Sequence, residues 1–223
     1  MIRVHHLEKS RSHRVLWLLE SLGLEYELIE YPRDPRTQMA PESLKRVHPL
    51  GKSPVITDDE LTIAESGAII DYLLARYGKG RLQPEESDTA AWVDYRYWLH
   101  YAEGSLMPLL VMRLVFGQIP KQSPWLLKPI AGGISGTVQK RFLQPQLKLH
   151  LDFIEAHLAR HGAFAGTWPS GADVQMSFPL QAVASTQSLA NYPAIAAFVE
   201  RVESDPAWQR VVEKAGPLTM PGS

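Results

Sequence analysis

The sequence predicts a small α/β domain followed by an all-helical one, and three observations carry that prediction. Strand and helix signals alternate through the first third of the chain. A stretch rich in Gly, Pro and charge then intervenes. Beyond it, apolar residues recur at helical spacing and no strand signal has any strength. The expected division is a first domain at residues 1–78, a linker at 79–87 and a helical domain at 88–223.

In order, Ile2 to His6 reads as a first strand and Leu7 to Ser10 as a turn. Ser12 is expected to cap a helix with Val15, Leu16, Leu18, Leu19 and Leu22 on its buried side, and Gly23 to stop it. Tyr26 to Tyr31 is a second strand. A polar loop from Pro32 to Pro41 leads to a brief helix at Glu42 to Val47. Val55 to Thr57 and Leu61 to Ala64 flank Asp58-Asp59-Glu60 as a hairpin, and Ser66 to Tyr77 is a helix. A β-α-β unit joined to a β-β-α unit makes a mixed sheet. After the linker, Asp88 to Phe116 is a long helix with a kink at Pro108. Gly117 to Gly136 is expected to be loose, because it is rich in Pro and Gly. Val138 to Arg160 is a second long helix disturbed by Pro145. Ser170 and Asp173 form a capping-box pattern before an apolar run. Two short helices fit Pro193 to Glu203 and Pro206 to Lys214, and the tail from Pro217 to Ser223 is expected to fray.

Composition removes several function classes. A formal net charge of -1 gives no support to nucleic acid or membrane-surface binding. The absence of cysteine excludes disulfides, thiolate metal sites and a protein thiol nucleophile, so sulfur chemistry must come from a ligand. The eight histidines show no metal-ligand spacing of the HExxH kind, and no metal is expected. The N-terminus lacks the apolar run of a signal peptide, and no uninterrupted apolar segment reaches membrane-spanning length. The expected location is cytoplasmic.

Chemistry concentrates in two short motifs. Lys52-Ser53-Pro54-Val55 runs into a strand, where a proline cannot donate to a ladder. A cis bond before Pro54 would turn neighbouring backbone groups outward, as an edge for an extended peptide. Ten residues on, Glu65 and Ser66 open a helix. An acid and a hydroxyl there can hold an amine and a carboxylate together, with the helix N-terminus favouring the carboxylate. The combination suits a γ-glutamyl peptide.

Taken together, these features resemble the cytosolic glutathione S-transferases over residues 2 to 215. The resemblance is strongest to a bacterial and fungal branch. The residues that carry it are Ser10-Arg11-Ser12-His13-Arg14-Val15-Leu16-Trp17-Leu18-Leu19, His48-Pro49-Leu50-Gly51, Glu103-Gly104-Ser105-Leu106 and Gly171-Ala172-Asp173-Val174-Gln175-Met176-Ser177-Phe178-Pro179-Leu180.

The resemblance implies a thioredoxin-like first domain, glutathione as co-substrate and a homodimer. It implies activation of the glutathione thiolate for attack on a small hydrophobic electrophile. Glutathione-dependent peroxidase activity, or binding without turnover, is the alternative. Ser10 is the implied thiol activator, with Ser12, Arg11 or a backbone amide as alternatives, since related classes carry the activating residue one position earlier, where this chain has Lys9. Ser53 would offer its backbone to the cysteinyl part, with Pro54 cis. Glu65 and Ser66 would take the γ-glutamyl end and Lys52 the glycine carboxylate, with His48 a weaker candidate there. Tyr97, Tyr101 and Met107 are possible walls of the second site, with Phe116 and Trp125 near its roof. Tyr95, Trp98 and Leu99 would lie on the dimer face.

Overall fold

Two parallel neighbouring strands need a crossover, and the first helix supplies it. In the computed structural model, which describes residues 1–219, β1 (Ile2–Leu7) pairs in parallel with β2 (Tyr26–Tyr31), and α1 (Ser12–Leu22) connects them. β3 (Val55–Asp58) lies antiparallel on the other side of β1, and β4 (Leu61–Ala64) returns beside β3 through a two-residue turn. The sheet order is β2-β1-β3-β4. The short helix α2 (Glu42–Val47) leads toward β3, and α3 (Ser66–Leu73) follows β4 and continues as a π-helical turn through Gly78.

α1 is buried on nearly every side. Val15, Leu16, Trp17, Leu18 and Leu19 have no exposed surface. A helix apolar all round must be covered all round. The sheet covers one side, and the helical domain covers the other through α8 (Gly171–Thr186) and α10 (Pro206–Ala215). Trp17 lies 5.9 Å, ring to ring, from both Trp168 and Trp208. Gly23 ends α1 in the left-handed conformation that favours glycine, at φ 69°.

The first long helix is α4 (Thr89–Tyr101) and α5 (Met107–Gln122), joined by a π-helical turn at Ala102–Leu106. The disturbance expected at Pro108 therefore falls one turn earlier. Pro108 itself sits in the first turn of α5, where its missing N–H is no loss. The continuous run Thr89–Gln122 is long and apolar enough, by length and composition, to cross a bilayer. Here its α5 half lines the cleft described below.

Two expectations are corrected. The segment 117–136 is helical: α5 runs through it to Gln122, and α6 (Lys128–Val138) follows. Pro120 lacks the N–H that would bind the Phe116 carbonyl, and Ser135 Oγ–H donates to that carbonyl instead, at 2.6 Å. Pro129 lies in the first turn of α6, and the glycines of α6 have open space around them. Packing between α5 and α6 thus overrides the low helix propensity. Tyr95, Trp98 and Leu99 do not form an outer face. They are buried inside the protomer, at no more than 2% exposure.

α7 (Gln144–His161) begins after a second π-helical turn, with Pro145 in its first turn. α8 opens on a full capping box. Asp173 N–H donates to Ser170 Oγ, Ser170 N–H donates back to Asp173, and the Phe164 N–H donates to the same carboxylate at 2.8 Å. α9 (Pro193–Glu203) and α10 complete the domain. Of the tail, residues 220–223 lie outside the described residues, while Leu218 packs against the core.

Candidate active site

The first domain and the helical domain meet in a cleft of about 670 Å³. One wall is polar. It consists of the loop after β1, with Lys9, Ser10 and Arg11, and of Gly51, Lys52 and Ser53 before β3. The facing wall is mainly apolar, although Arg113, Gln118 and Lys121 of α5 and Ser185 and Thr186 of α8 also line it. α5 contributes Met107, Leu110, Val111 and Leu114, and α8 contributes Phe178 and Ala182.

The polar wall is held by a chain of hydroxyls. Ser10 Oγ–H donates to Ser53 Oγ at 3.2 Å, and Ser53 Oγ–H donates to the His5 carbonyl at 2.8 Å. Ser10 Oγ is also 2.8 Å from Ser12 Oγ, which is 2.5 Å from His6 Nδ1. These contacts correct the expectation that Ser12 caps α1. Arg11 occupies the cap position, no side chain caps the helix, and the Ser12 hydroxyl is drawn sideways to Ser10 and His6.

The Ser53–Pro54 bond is cis, as the sequence reading expected. Neither the N–H nor the C=O of Ser53 makes a hydrogen bond among the described residues. Lys52 is exposed beside them.

Glu65 and Ser66 are not part of the cleft lining. They lie at the junction of β4 and α3. Glu65 is exposed and has φ 69°, a left-handed conformation that costs a non-glycine residue about 1–3 kcal/mol and clusters at ligand sites. Ser66 is buried. It is the first residue of α3 and not a cap, and its Oγ accepts a hydrogen bond from Gln175 Nε2 at 3.2 Å.

Arg14 was not singled out for the site, yet it organises the junction. Its guanidinium is wholly buried. It donates to the Gln175 carbonyl at 2.9 Å and to Glu103, which also pairs with Arg11 at 3.0 Å. Gln175 is four residues before Pro179, so its carbonyl lacks a helical partner and is free to accept from Arg14. Burial lowers the Arg14 pKa, and the charge of Glu103 opposes the shift. The charge of Glu65 acts in the same sense as that of Glu103. A lone arginine within an apolar helical run and a proline inside α8 were the available signals.

Of the other expected wall residues, only Met107 lines the cleft. Tyr101 bonds His150 on α7, Tyr97 packs against Phe153 on the outer surface, and Trp125 is exposed at the α5–α6 turn. Phe116 and His48 are also absent from the lining.

The comparisons with known proteins agree with this architecture. Residues 1–75 match the family model "Glutathione S-transferase, N-terminal domain", and residues 138–206 match "Glutathione S-transferase, C-terminal domain". The chain is 36% identical to glutathione S-transferase 3 of Schizosaccharomyces pombe, over 99% of this chain and 90% of the relative. The chain belongs to the glutathione S-transferase family. Glutathione S-transferase 1 of Saccharomyces cerevisiae is 33% identical, over 98% of this chain and 97% of the relative. A solved glutathione S-transferase from Actinobacillus pleuropneumoniae superposes with a TM-score of 0.80 at 35% identity, covering 98% of this chain and 94% of the other. The sheet with its helices and the following helical domain are the glutathione S-transferase fold, with its thioredoxin-like first domain.

Proposed function

We infer that this glutathione S-transferase uses Ser10 to stabilise the glutathione thiolate for attack on a small hydrophobic electrophile. The observation that carries the reading is that Ser10 lines the same cleft as the apolar side chains of α5 and α8. A free thiol has a pKa of about 8.5, so few molecules are ionised at neutral pH. A hydroxyl donating to sulfur favours the anion. In this reading residues 1–78 hold glutathione, 79–87 join the domains, and 88–223 supply the electrophile site. The Ser53 main chain, beside Pro54, pairs with the cysteinyl residue, Lys52 meets the glycine carboxylate, and Glu65 and Ser66 hold the γ-glutamyl end. Location in the cytoplasm is part of the proposal.

The homodimer belongs to this reading as well. Val93 and Tyr97 on α4, with Leu149 and Phe153 on α7, are exposed apolar side chains that a second copy would cover. A single sedimenting species near the 25.0 kDa of one chain at micromolar concentration would remove the dimer.

The test of function is conjugation of a chlorodinitrobenzene-type electrophile, measured beside retention on a glutathione column. Turnover with retention is expected. Retention without turnover would make this a binding protein, and turnover of organic hydroperoxides alone would make it a peroxidase.

A further inference from the structure

The hydroxyl chain on the polar wall has a direction, and the direction bears on Ser10. Each serine has one proton to give. Ser53 gives its proton to the His5 carbonyl, which can only accept. Ser10 therefore donates to Ser53, and Ser12 must donate to Ser10 across their 2.8 Å contact. Ser12 has then spent its proton, so the 2.5 Å contact with His6 is closed by Nδ1–H of the ring. The donors run from His6 to Ser12 to Ser10.

The opposite sense is chemically available. With its proton on the other ring nitrogen, His6 Nδ1 would accept from Ser12. Ser12 would then accept from Ser10, and the Ser10 proton would be drawn away from the cleft. The protonated ring nitrogen of His6 thus selects which way the Ser10 hydroxyl points.

We propose that His6 and Ser12 are positioning residues, which hold the Ser10 hydroxyl as a donor on the cleft side by occupying its acceptor side. The proposal rests on the reading of Ser10 as thiolate stabiliser. When sulfur takes the place of Ser53 as acceptor, Ser10 still accepts from Ser12, and Ser12 still accepts from His6. Donors aligned in series polarise one another, so each strengthens the last bond, the one to sulfur.

Burial fits this role. Ser12 is fully buried, and His6 and Ser10 are each 5% exposed, so water does not compete freely for these groups. Burial, with the neighbouring His13 acting in the same sense and Glu8 opposing, pushes the His6 pKa down to about 4. The ring is neutral at working pH, with one proton to place. His13 lies edge-on, 5.1 Å from the His6 ring. The charged groups lining the cleft are Lys9, Arg11, Arg33, Lys52, Arg113 and Lys121, and the substitutions below leave them all in place.

The experiment titrates the thiol of glutathione bound to the full-length protein, by thiolate absorbance near 240 nm. The wild type is compared with Ser10→Ala, Ser12→Ala, Ser12→Thr and His6→Asn. The expectation is that Ser12→Ala raises the bound-thiol midpoint by about half a pH unit and cuts turnover about threefold below that midpoint, with KM for glutathione unchanged. Ser12→Thr keeps the hydroxyl and His6→Asn keeps a donor at the Nδ1 position, so both should remain close to wild type. Two results overturn the relay alone: a Ser12→Ala midpoint equal to wild type while Ser10→Ala shifts it, or a Ser12→Thr shift as large as that of Ser12→Ala. If Ser10→Ala leaves the midpoint where it is, the reading of Ser10 falls and the relay falls with it.

Discussion

The two walls of the cleft are built on opposite principles. The first-domain wall carries polar side chains and main-chain groups, fixed by hydrogen bonds among two loops, β1 and the start of α1. The helical wall presents mainly apolar side chains from α5 and α8, with Arg113, Gln118 and Lys121 among them and Arg113 tied back to Gln187. One wall suits a ligand whose polar groups never change. The other suits ligands that share little beyond being apolar. Hydrogen bonds need positions held to a few tenths of an ångström, whereas apolar contact tolerates exchange of one side chain for another. Substitutions on the polar wall should therefore change whether the reaction runs, and those on the helical wall should change what it runs on.

The largest effect belongs to neither surface but to the scaffold of the helical wall. Asp173 is buried and accepts from the N–H groups of Phe164 and Ser170. Asp173→Ala removes a capping box and takes the acceptor from three buried donors, the two N–H groups and the Ser170 hydroxyl, a loss of about 2–4 kcal/mol. Chemical unfolding should show it. Burial raises the Asp173 carboxyl to about 6, against an ordinary value of 3.8. A raised native pKa means the folded state holds the proton more tightly. The stability contributed is full below about pH 4 and is lost as pH rises through about 6. The deficit of Asp173→Ala should thus be larger at pH 5 than at pH 7, and an equal deficit at both would refute the assignment of a raised carboxyl.

On the polar wall, Ser10→Ala should cut turnover by roughly ten- to a hundredfold with glutathione binding nearly intact, since a hydrogen bond to a charged atom contributes about 1.5–3 kcal/mol. Steady-state kinetics with saturating glutathione measure this. If turnover survives the substitution, Arg11 or a main-chain amide becomes the activator. Glu65→Ala should act differently, raising KM for glutathione about tenfold and leaving kcat near its original value, because the contact is made equally before and during reaction. A fall in kcat at constant KM would place Glu65 nearer the sulfur than the γ-glutamyl reading allows.

What the sequence revealed follows the same division between walls. The strands, α1 and α3 were legible because a sheet with one helical crossover leaves few ways to satisfy its apolar periodicity. Pro54 was legible because a proline at a strand start has few uses. The hydroxyl chain was not, since a serine before a helix reads locally as a cap, and only the fold brings His6 within reach of Ser12. Arg14 was hidden for a related reason: its partners, Glu103 and the Gln175 carbonyl, are far along the chain. The helical wall was least legible. Tyr97, Tyr101 and Met107 share one long helical run, but the π-helical turn at Ala102–Leu106 changes which residues face the cleft. Met107 lines it and the tyrosines do not.

The smallest effect expected is on the helical wall, and it tests the comparison most directly. Leu114 lines the cleft on α5 and is about one-third exposed, so its truncation leaves an open surface and not a sealed void. No hydrogen bond of the polar wall depends on it. Leu114→Ala should leave KM for glutathione and the midpoint of the bound thiol unchanged. It should alter kcat/KM for the electrophile by about two- to tenfold, because a few methylenes of apolar contact contribute about 1 kcal/mol when the side chain is partly exposed. The sign should depend on the electrophile: a loss for compact ones that need the contact, and little change or a gain for bulky ones that need the space. A panel of electrophiles of graded size measures this. If Leu114→Ala instead shifts the thiol midpoint, or slows all electrophiles by the same factor, the two walls are coupled and the separation argued here fails.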